Sequence, residues 1–412
     1  MHHEAEDVHG GQWIGRSTET GDIVKITVQD EHIVSVEQIE NEEGRAGDSR
    51  LASEVDNVPW ISPGWIDLQV NGFAGYDFNE QHTSVHDVLG VLNALFACGV
   101  TSCLPTIVTG SRERIEQAFR ALARVSDSTE WASRSMIGYH LEGPYTSKED
   151  GPRGAHLLAY IRDPDWDEFN GWQEASGGRI RMVTLAPERE GAIPFIADLT
   201  QMGIVAAIGH TAAAAEQIEQ AVAAGATMST HLGNGSHPIL PRHPNYIWDQ
   251  LANDKLWAGL IADGHHLPSS VLKVMLRMKR DKAILVSDAV KFAGMPPGRY
   301  STVINAEVEL HPNGRLHTVA NPAILAGSAS PLVDGIANVV NWGGVTLAEA
   351  IRMVTLHPSQ LMGLNRLGRL EPGAAGNLTL FDWKPGYGQE AHGRIIVRET
   401  VLEGRTMYRR DA

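Results

Sequence analysis

Ile204 to His231 reads IVAAIGHTAAAAEQIEQAVAAGATMSTH. It opens with an apolar run of β type, Ile204–Ile208, and closes with another, Ala226–Thr230. Between them Ile218, Ala221, Val222 and Gly225 follow the i, i+3, i+4, i+7 spacing of one helix face. Thr211 stands where it can cap a helix over 213–224, and Gly225 where it can end one. Each strand run is followed by a histidine, His210 or His231. This is one strand–helix–strand unit with reactive side chains at the C-terminal ends of its strands.

The unit recurs. Further β-type runs lie at Ile61–Val70, Thr101–Val108, Met136–Leu141, Ile180–Leu185, Leu256–Ile261 and Ala283–Val286, which brings the total to eight. Eight such alternations are what a (β/α)8 barrel requires. The rival is a doubly wound open sheet, which would carry a glycine-rich phosphate loop after its first strand; neither GxGxxG nor GxxxxGK[ST] occurs. After the eighth run, 298–319 reads as an inserted hairpin. Helices are predicted over 331–342 and 347–356, the second with Thr346 and Glu349 at capping-box spacing and Pro358 beyond its end. The two chain ends read differently. Val24, Ile26 and Val28 alternate with polar residues, Ile33 to Ile39 follow a turn-like 29–32, and Leu378, Leu380 and Ile395 to Leu402 repeat the style. The expected division is a small β domain made of 1–60 and 368–412, with the barrel over 61–367.

Bulk properties narrow the function. With 412 residues the chain can bury a large core, and 42% hydrophobic with 20% charged residues is ordinary for a globular protein. A formal charge of −16 argues against a nucleic-acid partner, though a few local cations suffice for one small phosphate. Cys98 and Cys103 are too few for a disulfide framework and match no zinc spacing. Residues 1–11 are polar and acidic, unlike a secretory signal, and no apolar run reaches the roughly 20 residues that span a bilayer. A cytoplasmic enzyme without a membrane partner is expected.

A barrel places its chemistry at the C-terminal ends of its strands. Here the first run ends at Gln69 and Asn71, the third at His140 and Glu142, the fifth at His210, the sixth at His231, the seventh at Asp263, His265 and His266, and the eighth at Asp288. A single histidine after a strand is most often a hydrogen-bonded structural residue. Coincidence at the same end of so many strands argues for a site. A carboxylate with two imidazoles suits a divalent ion such as zinc or ferrous iron and leaves a position for water. Glu142, His210 and His231 are therefore assigned as ligands and Asp288 as proton carrier. No GxSxG elbow is present, and the cysteines lie at the wrong end of a strand for a nucleophile.

Pro63-Gly64-Trp65-Ile66-Asp67, His140-Leu141-Glu142-Gly143-Pro144, Gly209-His210-Thr211, Thr230-His231-Leu232, Ile261-Ala262-Asp263-Gly264 and Ser287-Asp288-Ala289 form an ordered set. Together they resemble the N-acetylglucosamine-6-phosphate deacetylase family of the amidohydrolase superfamily. The resemblance implies a (β/α)8 TIM-like barrel with a small β-sandwich from both termini, a homodimer, and release of acetate from an amino-sugar 6-phosphate in amino-sugar catabolism. It implies Glu142, His210 and His231 as ligands of one divalent metal per subunit, zinc or iron, with Asp288 as catalytic acid/base and His156 beside the acetyl group. It further implies substrate binding by Ala155, Asn234, Gly235 and Asp263, phosphate contacts by His266 and by Arg242 across the dimer interface, and closure on the sugar by Leu325, Ala326 and Gly327.

The departures concern the substrate more than the reaction. Gln69-Val70-Asn71 stands where two-metal amidohydrolases carry His-x-His, and Leu185-Ala186-Pro187-Glu188 offers no lysine for a bridging carbamate; both favour one metal. The loop 235–248 adds histidines and aromatics near the expected phosphate, His265 precedes His266, and Asn377 replaces an acidic residue. Tyr246 and Trp248 either shape the substrate site or simply pack a helix on the barrel. Two alternatives stand beside the leading reading: a deacetylase of another N-acetylated amino sugar, such as N-acetylgalactosamine 6-phosphate or an unphosphorylated sugar, and an inactive barrel serving as a binding scaffold.

Overall fold

The computed structural model describes residues 10–39, 58–301, 307–322, 324–386 and 392–411. Eight strands form one sheet in chain order: β1 Trp65–Val70, β2 Val100–Val108, β3 Tyr139–Glu142, β4 Ile180–Leu185, β5 Val205–Ile208, β6 Met228–Ser229, β7 Trp257–Ile261 and β8 Ala283–Val286. Pairing is parallel, as strand–helix–strand connections require, and nearly every strand residue is buried, which explains the uninterrupted apolar runs. The ends of β1 and β8 meet. The Asp288 amide donates to the Gln69 carbonyl at 2.9 Å, and the Asn71 amide donates to the Ala289 carbonyl at 2.8 Å. The closing seam of the barrel thus passes through residues that carry reactive side chains.

Helices alternate with the strands. Ser111 caps Arg112–Ser128, Asp165 caps Trp166–Ala175 and Asn245 caps Tyr246–Ala252, each by accepting amide hydrogens of the first turn. The helix expected over 213–224 spans Ala215–Ala223, and Gly225 ends it at φ +112°. Thr211 does not cap it. Its hydroxyl donates to Glu188 Oε2 at 2.5 Å, while Gln217 Oε1 accepts the Ala214 amide hydrogen at the helix start.

Other boundaries moved for identifiable reasons. The apolar run Ile61–Val70 is two strands, Trp60–Pro63 and Trp65–Val70, broken at Gly64. There the backbone packs so closely on Thr101 that a Cβ would lie 2.3 Å from its hydroxyl oxygen. Met136 closes the preceding helix through its amide bond to Ala132, so β3 starts only at Tyr139. The insertion after β8 is three-stranded, with Gly298–Ser301, Glu307–Leu310 and Leu316–Thr318 in antiparallel order. The Thr346–Glu349 capping box forms as expected at Leu347–Arg352, but Pro358 lies within a further short helix, Leu356–Leu361, where a first-turn proline forfeits no hydrogen bond.

Both chain ends contribute to one seven-stranded sheet, ordered Arg405–Arg409, Arg394–Leu402, Leu378–Lys384, Trp60–Pro63, Gly10–Ser17, Ile23–Gln29 and His32–Gln38. Asp30 and Glu31 adopt positive φ, 47° and 71°, in the two-residue turn of the Ile23–Gln29/His32–Gln38 hairpin. Trp13, Ile26, Ile33, Ile61, Leu378 and Val401 share one core, and the Ile33 amide donates to the Ala374 carbonyl, so the sheet folds over its own apolar face. Two compact units result: 1–66 with 95–101 and 345–412, and 67–94 with 102–344. Among the described residues no helix is long and apolar enough to cross a membrane.

Candidate metal centre and active site

Glu142 ends β3, and His210 and His231 follow β5 and β6. Glu142 Oε1 lies 3.2 Å from His210 Nε2 and 2.9 Å from His231 Nε2, and the two Nε2 atoms are 3.0 Å apart. All three side chains are buried. Donors bound tetrahedrally at about 2.0–2.1 Å from one zinc ion sit roughly 3.4 Å from each other, so this spacing is close to that of a shared ligand set. His210 Nδ1 donates to the Pro152 carbonyl at 2.9 Å, which leaves its Nε2 with a lone pair aimed at the cluster. Burial by itself pushes the Glu142 carboxyl up, but its contacts with the adjacent His210 and His231 rings outweigh it and hold the group well below the usual carboxylate range. The donor set therefore fits a divalent cation.

Backbone conformation marks the same residues. His210, His231 and Asp288 have φ of +50°, +29° and +46°, in a region that non-glycine residues rarely adopt. Each sits directly after a barrel strand, where the left-handed turn brings the side chain over the barrel mouth instead of along its wall. Close packing supports this. A Cβ on Gly235, itself at φ +55°, would lie 2.6 Å from His210 Nδ1, so only glycine lets the sixth loop lie against that ring.

Asp288 is held by Asn71, whose Nδ2 donates to its Oδ1 at 2.8 Å. Burial, then the nearby negative charge of Glu142, push its carboxyl up to about 7. Gln69, on the same face of β1 as Asp67, donates through Nε2 to Glu142 Oε1 at 2.9 Å. The two residues standing in place of His-x-His thus each hold one carboxylate. The sequence reading noted both but assigned them no role. Their i, i+2 spacing at a strand end was the available signal, since it projects both into the barrel mouth.

His156 is buried with its ring edge-on to His210, centroids 4.2 Å apart, and its Nδ1 lies 2.6 Å from the Thr109 hydroxyl. Burial pushes its pKa down to about 3, so the ring is neutral. His140, by contrast, points into the barrel below the cluster, where Nε2 meets Thr184 Oγ1 at 2.7 Å. It belongs to an interior polar layer.

The remaining expected residues fall into two groups. Asn234 lies beside the cluster, with Nδ2 donating to the His231 carbonyl at 3.3 Å. Asp263 accepts from the His265 and His266 amides and from His266 Nδ1 at 2.7 Å, which fixes the orientation of the His266 ring. Leu325 bridges to His317, the Ala326 amide donates to the Leu316 carbonyl, and Gly327 runs against Val290. Ser328 then pairs with Ala289, which ties this segment to the residue after Asp288. Ala155 and Arg242 are exposed, and among the described residues no side-chain hydrogen bond or ion pair links Arg242 to the cluster. In the unusual loop, Tyr246 is buried and its hydroxyl accepts the His237 amide hydrogen at 2.7 Å, whereas Trp248 is 53% exposed. Tyr246 packs; Trp248 does not. A cleft beside His210 is lined by Thr211, Asn234, Gly235, Ser236 and Tyr246.

A closed (β/α)8 barrel with a Glu–His–His ligand cluster and a buried aspartate at the C-terminal ends of its strands defines a metal-binding barrel of hydrolase type. Residues 60–404 match the amidohydrolase family. The chain is 35% identical over 358 residues to N-acetylglucosamine-6-phosphate deacetylase of Bos taurus, covering 84% of this chain and 83% of the relative. It is 32% identical over 367 residues to N-acetylgalactosamine-6-phosphate deacetylase of Escherichia coli O157:H7, covering 85% and 95%. The crystal structure of N-acetylglucosamine-6-phosphate deacetylase from Thermotoga maritima superposes with a TM-score of 0.79 at 25% identity, over 97% of this chain and 99% of that one. The chain belongs to the amidohydrolase family and, within it, to the N-acetylglucosamine-6-phosphate deacetylase family.

Proposed function

We propose that the protein hydrolyses the acetamide of N-acetyl-D-glucosamine 6-phosphate, giving D-glucosamine 6-phosphate and acetate. The observation that carries this reading is the Glu142–His210–His231 cluster, 2.9 to 3.2 Å between donors, in a chain 32–35% identical to curated deacetylases of that substrate. Glu142, His210 and His231 hold one divalent ion, zinc or iron, which supplies Lewis-acid polarisation and makes water more acidic. Gln69 keeps Glu142 oriented through its 2.9 Å hydrogen bond and offers no imidazole for a second ion. Ionised Asp288, steadied by Asn71, takes a proton from the attacking water as oxygen bonds to the acetyl carbon. The neutral His156 ring receives the Thr109 hydroxyl at Nδ1 and keeps its proton on Nε2, from which it donates to the acetyl oxygen. Asp288 then delivers its proton to the amine nitrogen as the C–N bond breaks.

Ala155, Asn234, Gly235, Asp263 and the 325–327 segment would surround the sugar, and His266 with Arg242 would contact the phosphate. The exposed Arg242 suits contribution across a homodimer interface, and a cytoplasmic location suits a sugar-phosphate substrate. A second reading, N-acetylgalactosamine 6-phosphate as preferred substrate, is favoured by the 95% coverage of the E. coli relative bearing that name. The test is a turnover panel of both acetylated hexosamines, each with and without 6-phosphate, on metal-loaded enzyme. The proposal expects the highest kcat/KM for N-acetylglucosamine 6-phosphate. A higher value for the galactosamine ester replaces the substrate, equal values without phosphate remove the phosphate contacts, and no turnover on any member rejects deacetylation.

A further inference from the structure

We propose that Glu309, His311 and His317 form a second divalent-cation site, of the zinc type, on the three-stranded sheet inserted after β8. The carboxylate and the two imidazoles each offer a donor atom, and these atoms all lie within 4.8 Å of one another. Glu309 faces His317 directly across the antiparallel pair Glu307–Leu310/Leu316–Thr318. His311 follows two residues after Glu309 on the same face. The His311 amide donates to the Arg315 carbonyl, a turn that brings the two imidazoles together with Nε2 atoms 2.8 Å apart.

The sheet's two faces differ in a way that isolates these donors. Val308, Leu310 and Leu316 point to the other face and pack with Phe292 and Ala329 in a small apolar core. Glu309, His311 and His317 share the face away from that core, yet His317 is only 4% exposed. A buried imidazole on a face with no apolar packing role needs a polar explanation. His317 Nδ1 donates to the Thr318 carbonyl at 2.9 Å, so its Nε2 holds a lone pair directed at His311 and Glu309. His210 is arranged in the same way by Pro152 in the first centre. One hydrogen bond between neutral imidazoles would satisfy the two Nε2 atoms but, among the described residues, leave Glu309 with only Arg299, 67% exposed and 3.4 Å away, as its ion-pair partner. A cation of the zinc type accepts all three donors at once.

The site stands apart from the Glu142 cluster and does not depend on the deacetylase reading. Its consequence is local. His317 bridges to Leu325 and Leu316 accepts the Ala326 amide hydrogen, so an ion on this sheet fastens the strand against which residues 325–326 are laid.

The test is cobalt binding to the full-length protein after chelator stripping, followed by metal analysis and the visible spectrum of Co2+. Wild type is expected to bind about two ions per chain, the His311→Ala/His317→Ala variant about one, and the His210→Ala/His231→Ala variant about one. Saturation of wild type at one ion, or a wild-type count in His311→Ala/His317→Ala, overturns the proposal. Glu309→Gln keeps the shape and hydrogen-bonding capacity of the side chain, so it guards against misfolding as an explanation. It is expected to weaken the second binding event about tenfold or more, and an unchanged second Kd equally overturns the site.

Discussion

Asn71 Nδ2 lies 2.8 Å from Asp288 Oδ1, at the seam where the first and last barrel strands close on each other. Burial and the Glu142 charge push Asp288 up to about 7, and the Asn71 hydrogen bond pulls the other way by favouring the ionised form. Asn71→Ala removes that pull. In the proposed mechanism Asp288 is ionised when it accepts a proton from water, so the acidic limb of kcat/KM should move to higher pH. The rate near pH 7 should fall about tenfold, a cost of about 1.4 kcal/mol. A pH–rate profile decides this, and an unmoved acidic limb would show that Asn71 does not support Asp288.

Asp288→Asn keeps the size of the side chain and abolishes its proton chemistry. Turnover should drop by about 10² to 10⁴, while the metal content expected of the Glu142–His210–His231 cluster should be unchanged. Rate and metal content need to be measured on the same preparation. Normal rates in a folded, metal-loaded variant would remove Asp288 from the mechanism.

Gln69→Leu tests the hold on the Glu142 carboxylate, the proposed metal ligand. Gln69 Nε2 donates to Glu142 Oε1 at 2.9 Å, and hydrogen bonds to a ligand orient it for the ion. Metal affinity should weaken about 10- to 100-fold, with activity restored by excess metal. Competition with a chelator of known affinity measures it, and an unaltered affinity would make Gln69 a mere space filler.

Much of this could be read from residues alone. The barrel was legible because parallel strands buried on both faces leave uninterrupted apolar runs such as Ile180–Leu185 and Ala283–Val286, whose limits the structure reproduces. The grouping of Glu142, His210 and His231 was legible because strand ends converge in a barrel. What stayed hidden depends on close contacts that no periodicity records. Gly64, packed too closely on Thr101 for a Cβ, stands where one apolar run divides into two strands, and Thr211 is drawn from its helix by Glu188. The work of Asn71 and Gln69 was hidden for the same reason, since neutral amides carry no chemistry until their partners are known. Glu309 and His317 escaped notice because their pairing needs the antiparallel register of a sheet, which the pattern over 298–319 does not specify.

Gly235→Ala should injure the candidate metal centre without replacing any of its donor residues. The residue has φ +55°, and a Cβ would lie 2.6 Å from His210 Nδ1. Strained backbone of this kind costs about 1–3 kcal/mol, so the melting temperature should fall, and the displaced His210 ring should lower metal affinity as well. Calorimetry and metal titration together test it. A variant with wild-type affinity would mean that the sixth loop yields without disturbing His210.

Asp67 offers a prediction about stability alone. It is fully buried beneath the site, where Oδ1 accepts the Ser287 amide hydrogen at 3.2 Å and the Gln69 amide hydrogen at 3.3 Å, while Oδ2 has no partner among the described residues. Burial raises its pKa from 3.8 to about 6. The folded protein then holds a proton that the unfolded chain has released between those two values, so stability falls as pH rises through that window. The difference amounts to about 3 kcal/mol at neutral pH, an upper figure for one group. Asp67→Asn can keep both accepted hydrogen bonds through its carbonyl oxygen but does not titrate, although its NH2 group inherits the unpartnered position of Oδ2. The variant should therefore be the less stable protein near pH 4 and gain on wild type steadily up to pH 6. Denaturant unfolding at a series of pH values reads this directly. Parallel stability curves for the two proteins would show that Asp67 is ionised in both states and that its burial is offset by neighbours.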